Sequence, residues 1–231
     1  MENSKKAAQF KAGFLASIPV MLGYIPVAIA YAGLAKSAGM NFWQTISLSI
    51  FVYTGAGQMT TADLLARQAG LWTIVLSVFV MNLRHIIMST VVMEDLKKTP
   101  LWQRCVLSFG VTDEVFAIFT TDVKEKSSAL FFGGLALGSW LSWVIGSAAG
   151  SILSAFFPPV LMASFSIAMS AMFLALLSPA LKAHWRLWIP VVAAAFFSWL
   201  AENYLIPGWG MVIGSLTGAL IGLPFVKEED L

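Results

Sequence analysis

Long apolar stretches fill most of the chain, and polar residues gather in the short gaps between them and at a few positions inside them. A helix that crosses the hydrocarbon core of a bilayer needs about 20 mostly apolar residues. Eight stretches come close to that length or exceed it: 13–35, 42–66, 71–93, 105–121, 129–157, 160–181, 187–205 and 209–226. The pattern predicts an all-α polytopic membrane protein with about eight apolar helical segments, which form a single transmembrane domain over residues 1–231.

Composition supports a membrane protein and excludes several other classes. Hydrophobic residues make up 58% of the 231 positions and charged residues 11%, which leaves too little polar surface for a soluble globule. The net charge of +2 is scattered over short loops and forms no basic patch for a nucleic acid. The one cysteine, Cys105, excludes an intrachain disulfide and a thiolate metal site. We expect no metal and no cofactor.

Positively charged residues favour the cytoplasmic side of a membrane. Here they form three groups beside the predicted segments: Lys5, Lys6 and Lys11; Lys97, Lys98 and Arg104; Lys182 and Arg186. The first group predicts a cytoplasmic N-terminus. Eight plain spans then place the middle group outside, whereas re-entrant broken hairpins at 42–66 and 160–181 leave six spans and place all three groups inside. The sequence leaves both topologies open.

A weak internal repeat relates the two halves of the chain. A shift of about 120 positions brings Asn82 close to Asn203 and relates residues 13–93 to residues 134–205. In the topology with two hairpins, these halves have opposite orientations. Inverted repeats with one broken element in each half are typical of secondary transporters.

Small residues recur at every fourth position in two segments, a spacing that lets helix backbones approach closely in lipid. One stripe consists of Gly134, Gly138, Ser142, Gly146 and Gly150, and the other of Gly210, Gly214, Gly218 and Gly222. We predict that both stripes pack against other helices of the chain. A docking face for a second subunit is the alternative interpretation.

An arginine and a histidine stand side by side in the apolar stretch 71–93, as Arg84 and His85, just after Asn82. An arginine at the centre of a bilayer costs about 2.5–3.5 kcal/mol on insertion scales, so it usually meets a partner or a water-filled cavity. The alternative is that its long side chain snorkels to the interface. Since Asn82 and His85 are too short to do so, we favour a functional site.

Two neighbouring carboxylates, Asp113 and Glu114, occupy the middle of the next apolar stretch, 105–121. Either acid could neutralise Arg84 from an adjacent helix. Because two adjacent carboxylates repel each other, one of them should hold a proton more tightly than a free acid does. The pair is therefore a candidate proton carrier. The alternative is that these acids lie at a helix end or at the membrane interface.

A third polar group lies in the sequence YTGAGQ, residues 53–58. Gly55 and Gly57 predict a break in the helix, next to the side chains of Thr54 and Gln58. Irregular backbone at membrane depth survives only where it is buried in protein or lines a cavity. A cation, acids, amides and open backbone together are the groups that bind a zwitterion, so we interpret the three polar groups as one substrate site.

At these residues the chain resembles the AzlC family of bacterial membrane proteins. The resemblance rests on YTGAGQ, on NLRH at 82–85, on TDE at 112–114 and on the spaced glycines and prolines between Phe14 and Pro26. It implies export of branched-chain amino acids, and sometimes methionine, across the bacterial cell membrane, together with a small AzlD-like membrane subunit. The chain departs from the commoner family pattern at two positions. That pattern carries Phe at the position of Tyr53 and Ser or Ala at the position of Gly57.

The leading hypothesis is a secondary transporter that is driven by a gradient, since no nucleotide-binding loop is present. The predicted substrate-binding residues are Arg84, Asn82, Gln58, Gly55, Gly57 and Thr54. The predicted proton-coupling or ammonium-binding residues are Asp113, Glu114 and His85. A passive pore and a structural subunit of a membrane complex are the alternatives; an intramembrane enzyme is disfavoured because no HExxH or GxSxG motif occurs.

Overall fold

The protein is helical throughout the part of the chain that the computed structural model describes. The described residues are 2–121, 128–154, 156–158, 160, 167, 171, 174, 177, 178, 181–205 and 210–225. All regular elements in these ranges are helices, and three helical stretches are long and apolar enough to cross a membrane: Ile18–Ser37, Leu71–Asp95 and Ala129–Leu153. The predicted all-α membrane protein is confirmed, whereas the number of spans stays a prediction.

Many of the helices are shorter than a membrane span. In chain order the helices are α1 (Glu2–Ala16), α2 (Ile18–Ser37), α3 (Phe42–Phe51), α4 (Gly55–Ala66), α5 (Leu71–Met81), α6 (Arg84–Asp95), α7 (Leu101–Ser108), α8 (Asp113–Thr121), α9 (Ala129–Leu153), α10 (Trp188–Leu200) and α11 (Gly210–Gly222). A 3-10 turn at Trp185–Leu187 precedes α10, and a π-helical turn at Ala201–Leu205 follows it. Most of the predicted hairpin 160–181 lies outside the described residues.

The chain divides into two compact units. The first consists of Met1–Ile74 with Asn82–Met169, and the second of Val75–Met81 with Ser170–Leu231. All the predicted site residues lie in the first unit. The single transmembrane domain and the internal repeat remain predictions.

In the first unit, α9 lies along α1 and α2 through its stripe of small residues. Added carbon at Gly134 would collide with the backbone of Phe10, and added carbon at Gly138 would collide with the Ser17 hydroxyl. At Gly150 it would lie 2.7 Å from the Cα of Ile29. This stripe is therefore filled by helices of the same chain, as the packing interpretation predicts.

An apolar core holds α8 in place. Val115 and Phe119 of α8 are fully buried, and Phe132 of α9 packs edge-on against Phe119 with ring centroids 5.1 Å apart. Val92 of α6 belongs to the same cluster. Because apolar contacts fix the body of α8, its first turn presents Asp113 and Glu114 in defined directions.

In the second unit, the other glycine stripe packs α11 against α10. A methyl group at Gly218 would lie 2.6 Å from the Ala194 side chain, and one at Gly214 would lie 2.5 Å from the Ala194 carbonyl oxygen. The second stripe therefore also serves packing within the chain. The opposite side of α10 exposes large apolar side chains, including Trp188, Val192 and Phe196, which suits contact with lipid.

Candidate functional site

Three interruptions between helices in the first unit carry the polar motifs. They lie at 52–54 between α3 and α4, at 82–83 between α5 and α6, and at 109–112 between α7 and α8. A break in YTGAGQ was predicted at Gly55 and Gly57; the structure has it just before them, at 52–54, and both glycines lie in α4. The stretches 71–93 and 105–121 were predicted as apolar helical segments; both are helical, and each has an interruption at its polar residues, at 82–83 and at 109–112.

The first break is a sharp turn that is tied to the second. The amide groups of Val52 and Tyr53 both donate to the carbonyl oxygen of Leu48, at 2.9 and 3.1 Å. Tyr53 has a φ of +46°, a left-handed conformation that a non-glycine residue rarely adopts. The Thr54 hydroxyl does not cap α4 but donates to the Asn82 side-chain oxygen at 2.7 Å. Two motifs that lie 28 residues apart in the chain therefore meet directly.

An ion pair connects the second break to the third. A guanidinium nitrogen of Arg84 lies 3.0 Å from a carboxylate oxygen of Asp113, and the two side chains are 38% and 23% exposed. Arg84 begins α6, where the helix dipole opposes a positive charge, whereas Asp113 begins α8, where the dipole favours a negative one. Asp113 is therefore well placed to neutralise Arg84. The predicted acidic partner of Arg84 is present, and it is Asp113.

His85 lies beside this ion pair. Its Nδ1 atom is 3.3 Å from the carbonyl oxygen of Asn82, and the charges of Arg84 and Asp113 act on its ring. The histidine is therefore adjacent to the candidate site, held by the backbone at the second break.

Glu114 has different surroundings from its neighbour. It is only 7% exposed, and the Tyr24 hydroxyl donates to its carboxylate at 2.5 Å. The hydroxyl groups of Tyr24 and Thr112 are 2.9 Å apart, and the Thr112 oxygen accepts from the amide of Val115 at 3.3 Å. Thr112, and not either acid, is thus the side chain that caps α8, although both acids lie in its first turn.

Gln58 is buried in a network of protein groups. Its amide nitrogen donates to the Ser49 hydroxyl at 3.0 Å, and its amide oxygen accepts from the Trp143 indole at 2.9 Å. Ser49 in turn donates to Ser147 at 2.8 Å. Both ends of the amide are therefore engaged, and its predicted role as a substrate ligand remains a prediction.

Gly55 of YTGAGQ allows close packing at the start of α4. A methyl group at Gly55 would lie 2.8 Å from the Trp143 ring. Gly57 is buried, and its carbonyl oxygen accepts from the Thr61 hydroxyl at 2.8 Å. Only a residue without a side chain brings the first turn of α4 so near to α9.

The sequence interpretation missed Tyr24 and Trp143 as site residues. Tyr24 is 4% exposed, and its ring meets that of Trp143 edge-on with centroids 5.2 Å apart. The signal for Tyr24 was a hydroxyl group in the middle of an apolar helix, since a buried tyrosine hydroxyl usually has a polar partner.

Among the described residues, no cluster of three or more His, Cys, Asp or Glu side chains could hold a metal ion.

These motifs fall within the range of a known family. The family model described as AzlC protein matches residues 19–157, which include all three breaks and the Arg84–Asp113 pair. The chain belongs to the AzlC family. Its resemblance to that family, first seen in three short motifs, is thus confirmed over more than half of the chain.

Several curated relatives of this AzlC-family chain are membrane proteins by name. An uncharacterized membrane protein of Archaeoglobus fulgidus is 33% identical over 96% of this chain and 97% of its own length. The inner membrane protein YgaZ of Escherichia coli is 33% identical over 63% of this chain and 61% of its own. The branched-chain amino acid transport protein AzlC of Bacillus subtilis is 26% identical over 64% and 59%.

The chain thus spans about three fifths of the length of the last two relatives. No solved structure matches this chain. Family membership and the apolar helices identify it as a membrane protein.

Proposed function

We propose that the chain is the large subunit of a secondary transporter that exports branched-chain amino acids, and other neutral ones such as methionine. The Arg84–Asp113 ion pair, at the point where the interrupted helices connect, carries the proposal. A partly exposed pair of opposite charges offers one partner to each end of a zwitterion. Opening the pair around an amino acid leaves neither charge unpaired, whereas opening it without a ligand leaves both.

Each predicted residue has a place in this proposal. Arg84 binds the substrate carboxylate, with Asn82 and Thr54 fixing the break beside it. Gly55 brings the first turn of α4 close to α9, Gly57 is buried in the same turn, and Gln58 holds that turn against α9. Asp113, Glu114 and His85 are the candidates for the ammonium group and for the coupling proton. The aromatic rings of Tyr53 and Phe109, with centroids 5.8 Å apart, supply apolar surface for a branched side chain.

The name of the Bacillus subtilis relative supports branched-chain amino acids as the substrate class. Transport in the export direction, a small AzlD-like membrane subunit and the proton gradient as the source of energy belong to the same proposal. We also propose that the protein lies in the bacterial cell membrane with its N-terminus in the cytoplasm. The N-terminal segment carries Lys5, Lys6 and Lys11, and positively charged residues favour the cytoplasmic side. A passive pore and a structural subunit remain alternatives, and a pore would conduct without saturation.

The test is efflux of isoleucine from loaded cells that produce the chain with its small partner. We expect Arg84→Ala to reduce efflux about tenfold or more at normal membrane abundance, because a charged partner of the substrate carboxylate is lost. Arg67→Ala is the matched control. Arg67 also pairs with an aspartate, Asp63, at 2.9 Å, but at an exposed site in one helical turn, so efflux should not change.

Wild-type efflux by the Arg84→Ala protein would remove Arg84 from the site. Saturation of efflux with rising internal isoleucine separates a carrier from a pore, which gives a linear dependence.

A further inference from the structure

Two carboxylates stand next to each other at the start of α8, and the structure assigns them different surroundings. Asp113 is engaged by Arg84 at 3.0 Å. Glu114 is almost fully buried, and within the described residues no cation lies at ion-pair distance from it. A buried carboxylate without a cation is costly when ionised and far less so when it carries a proton. Glu114 is therefore placed to bind and release a proton.

The charged and titratable groups around Glu114 come from several elements. Tyr24 faces it from α2, and Tyr53 from the break before α4. On the side of α8 that faces α6 lies Asp113, with Arg84 and His85 of α6 beside it. The long helix α9, which packs on α8, carries no titratable residue at all. The carboxylate of Asp113 is therefore paired with a cation, Arg84. Within the described residues, the carboxyl group of Glu114 has no such cation.

Hydroxyl groups around Glu114 can satisfy both of its protonation states. When the carboxylate is ionised, Tyr24 donates to it and the Val115 amide donates to Thr112. The Tyr24 and Thr112 oxygens are 2.9 Å apart, so the Thr112 hydroxyl can then donate to Tyr24. When Glu114 carries a proton, it can donate to Tyr24, whose own proton then turns to Thr112. Only two hydroxyl rotors need to reverse, since such protons rotate freely to suit their partners.

Tyr53 gives an independent indication of a ligand at this position. Its side chain is 4% exposed, and its hydroxyl lies near those of Tyr24 and Thr112 and near the Glu114 carboxylate. Yet this hydroxyl completes no hydrogen bond of good geometry within the described part of the chain. A buried hydroxyl without a partner is expensive. A proton on the second oxygen of Glu114, instead of on the oxygen that faces Tyr24, would supply a partner, and Tyr24 would then keep its donation to the first oxygen.

We propose that Glu114, held by Tyr24 and faced by Tyr53, is the site of the proton that couples transport to the gradient, whereas Asp113 stays ionised with Arg84 in the substrate site. This inference rests on the proposed function. Loading adds one proton to the carboxylate and removes its negative charge, and unloading returns that proton to water on the other side. No other bond forms or breaks.

The test uses the chain with its small partner in proteoliposomes and measures two quantities. Counterflow of labelled isoleucine at equal pH on both sides reports substrate exchange, and accumulation driven by a pH gradient reports coupling. Glu114→Gln imitates the protonated acid. For this variant we expect gradient-driven accumulation, normalised to its own counterflow, to fall to the background accumulation of liposomes without protein. Glu94→Gln, an exposed glutamate paired with Lys97, should keep the wild-type ratio.

Gradient-driven accumulation by Glu114→Gln at the wild-type ratio would overturn the inference. Absence of counterflow by the wild type would instead contradict the proposed function, and with it this assignment. If Glu114→Gln does not fold, Tyr24→Phe is the second variant. Loss of its donor disfavours the ionised carboxylate, so the pH midpoint of gradient-driven transport should rise, and an unchanged pH profile would contradict the assignment.

Discussion

At the scale of single residues, neighbours in the chain meet different partners. Successive side chains of a helix point about 100° apart, so the first turn of α8 directs Asp113 toward Arg84 of α6 and Glu114 toward Tyr24 of α2. The same turn thus offers one acid that is paired with an arginine in a partly exposed place and a second acid that is buried. Such a division of environments is how proteins give two carboxylates separate tasks.

Gln58 allows a prediction that separates support of the site from contact with substrate. In Gln58→Ala the Trp143 indole and the Ser49 hydroxyl both lose a buried partner. We expect the free energy of unfolding to fall by about 1–3 kcal/mol, the usual cost of an unsatisfied buried group. Thermal unfolding of the purified protein measures the loss, and isoleucine affinity should change little. Normal stability with loss of isoleucine binding would instead make Gln58 a ligand.

What the sequence could predict at this scale was the need for partners, and not their identity. A charge in an apolar stretch requires an opposite charge, so an acidic partner for Arg84 was predictable. Which of Asp113 and Glu114 it would be depends on the direction in which α8 leaves its cap at Thr112. The contact of Glu114 with Tyr24 joins residues 90 positions apart, and no local pattern indicates it.

At the scale of elements, the breaks divide into those with a local signal and those without one. The glycines of YTGAGQ made the first break predictable. The break at 82–83 contains neither glycine nor proline, and the hydrogen bond from Thr54 to Asn82 holds it. Tertiary contacts decide such a break, which is why the apolar pattern alone gave no sign of it.

The glycine stripe of α9 gives a prediction about packing. A methyl group at Gly150 would meet the Ile29 backbone at 2.7 Å and the Ala32 side chain at 2.8 Å. We expect Gly150→Ala to lower the free energy of unfolding by about 1–3 kcal/mol, since overpacking forces the helices apart. Thermal unfolding in detergent tests this expectation.

Gly133→Ala is the control on the same helix. The nearest atom to its added carbon is the end of the Leu107 side chain at 3.5 Å, an ordinary contact. Alanine favours a helix over glycine by up to about 1 kcal/mol, so this variant should be at least as stable as the wild type. Equal effects of the two substitutions would contradict close packing through the stripe.

At the scale of the whole molecule, an apolar helical scaffold surrounds a small number of polar groups. The first compact unit contains the three breaks, the ion pair and the buried acid, and the family match at residues 19–157 lies within it except for Val75–Met81. Packing through small residues, seen in both units, keeps the helices close without polar side chains. The polar residues at the three breaks are the basis of the proposed amino acid transporter.

The most direct test of this account is whether isoleucine stabilises the purified protein, with its small partner, through Arg84. A ligand that binds only the folded state at 100 times its Kd adds about 2.7 kcal/mol of stability. The account predicts that saturating isoleucine raises the unfolding temperature of the wild type and of Arg67→Ala, but not that of Arg84→Ala. An equal rise in Arg84→Ala, or no rise in the wild type, would contradict it.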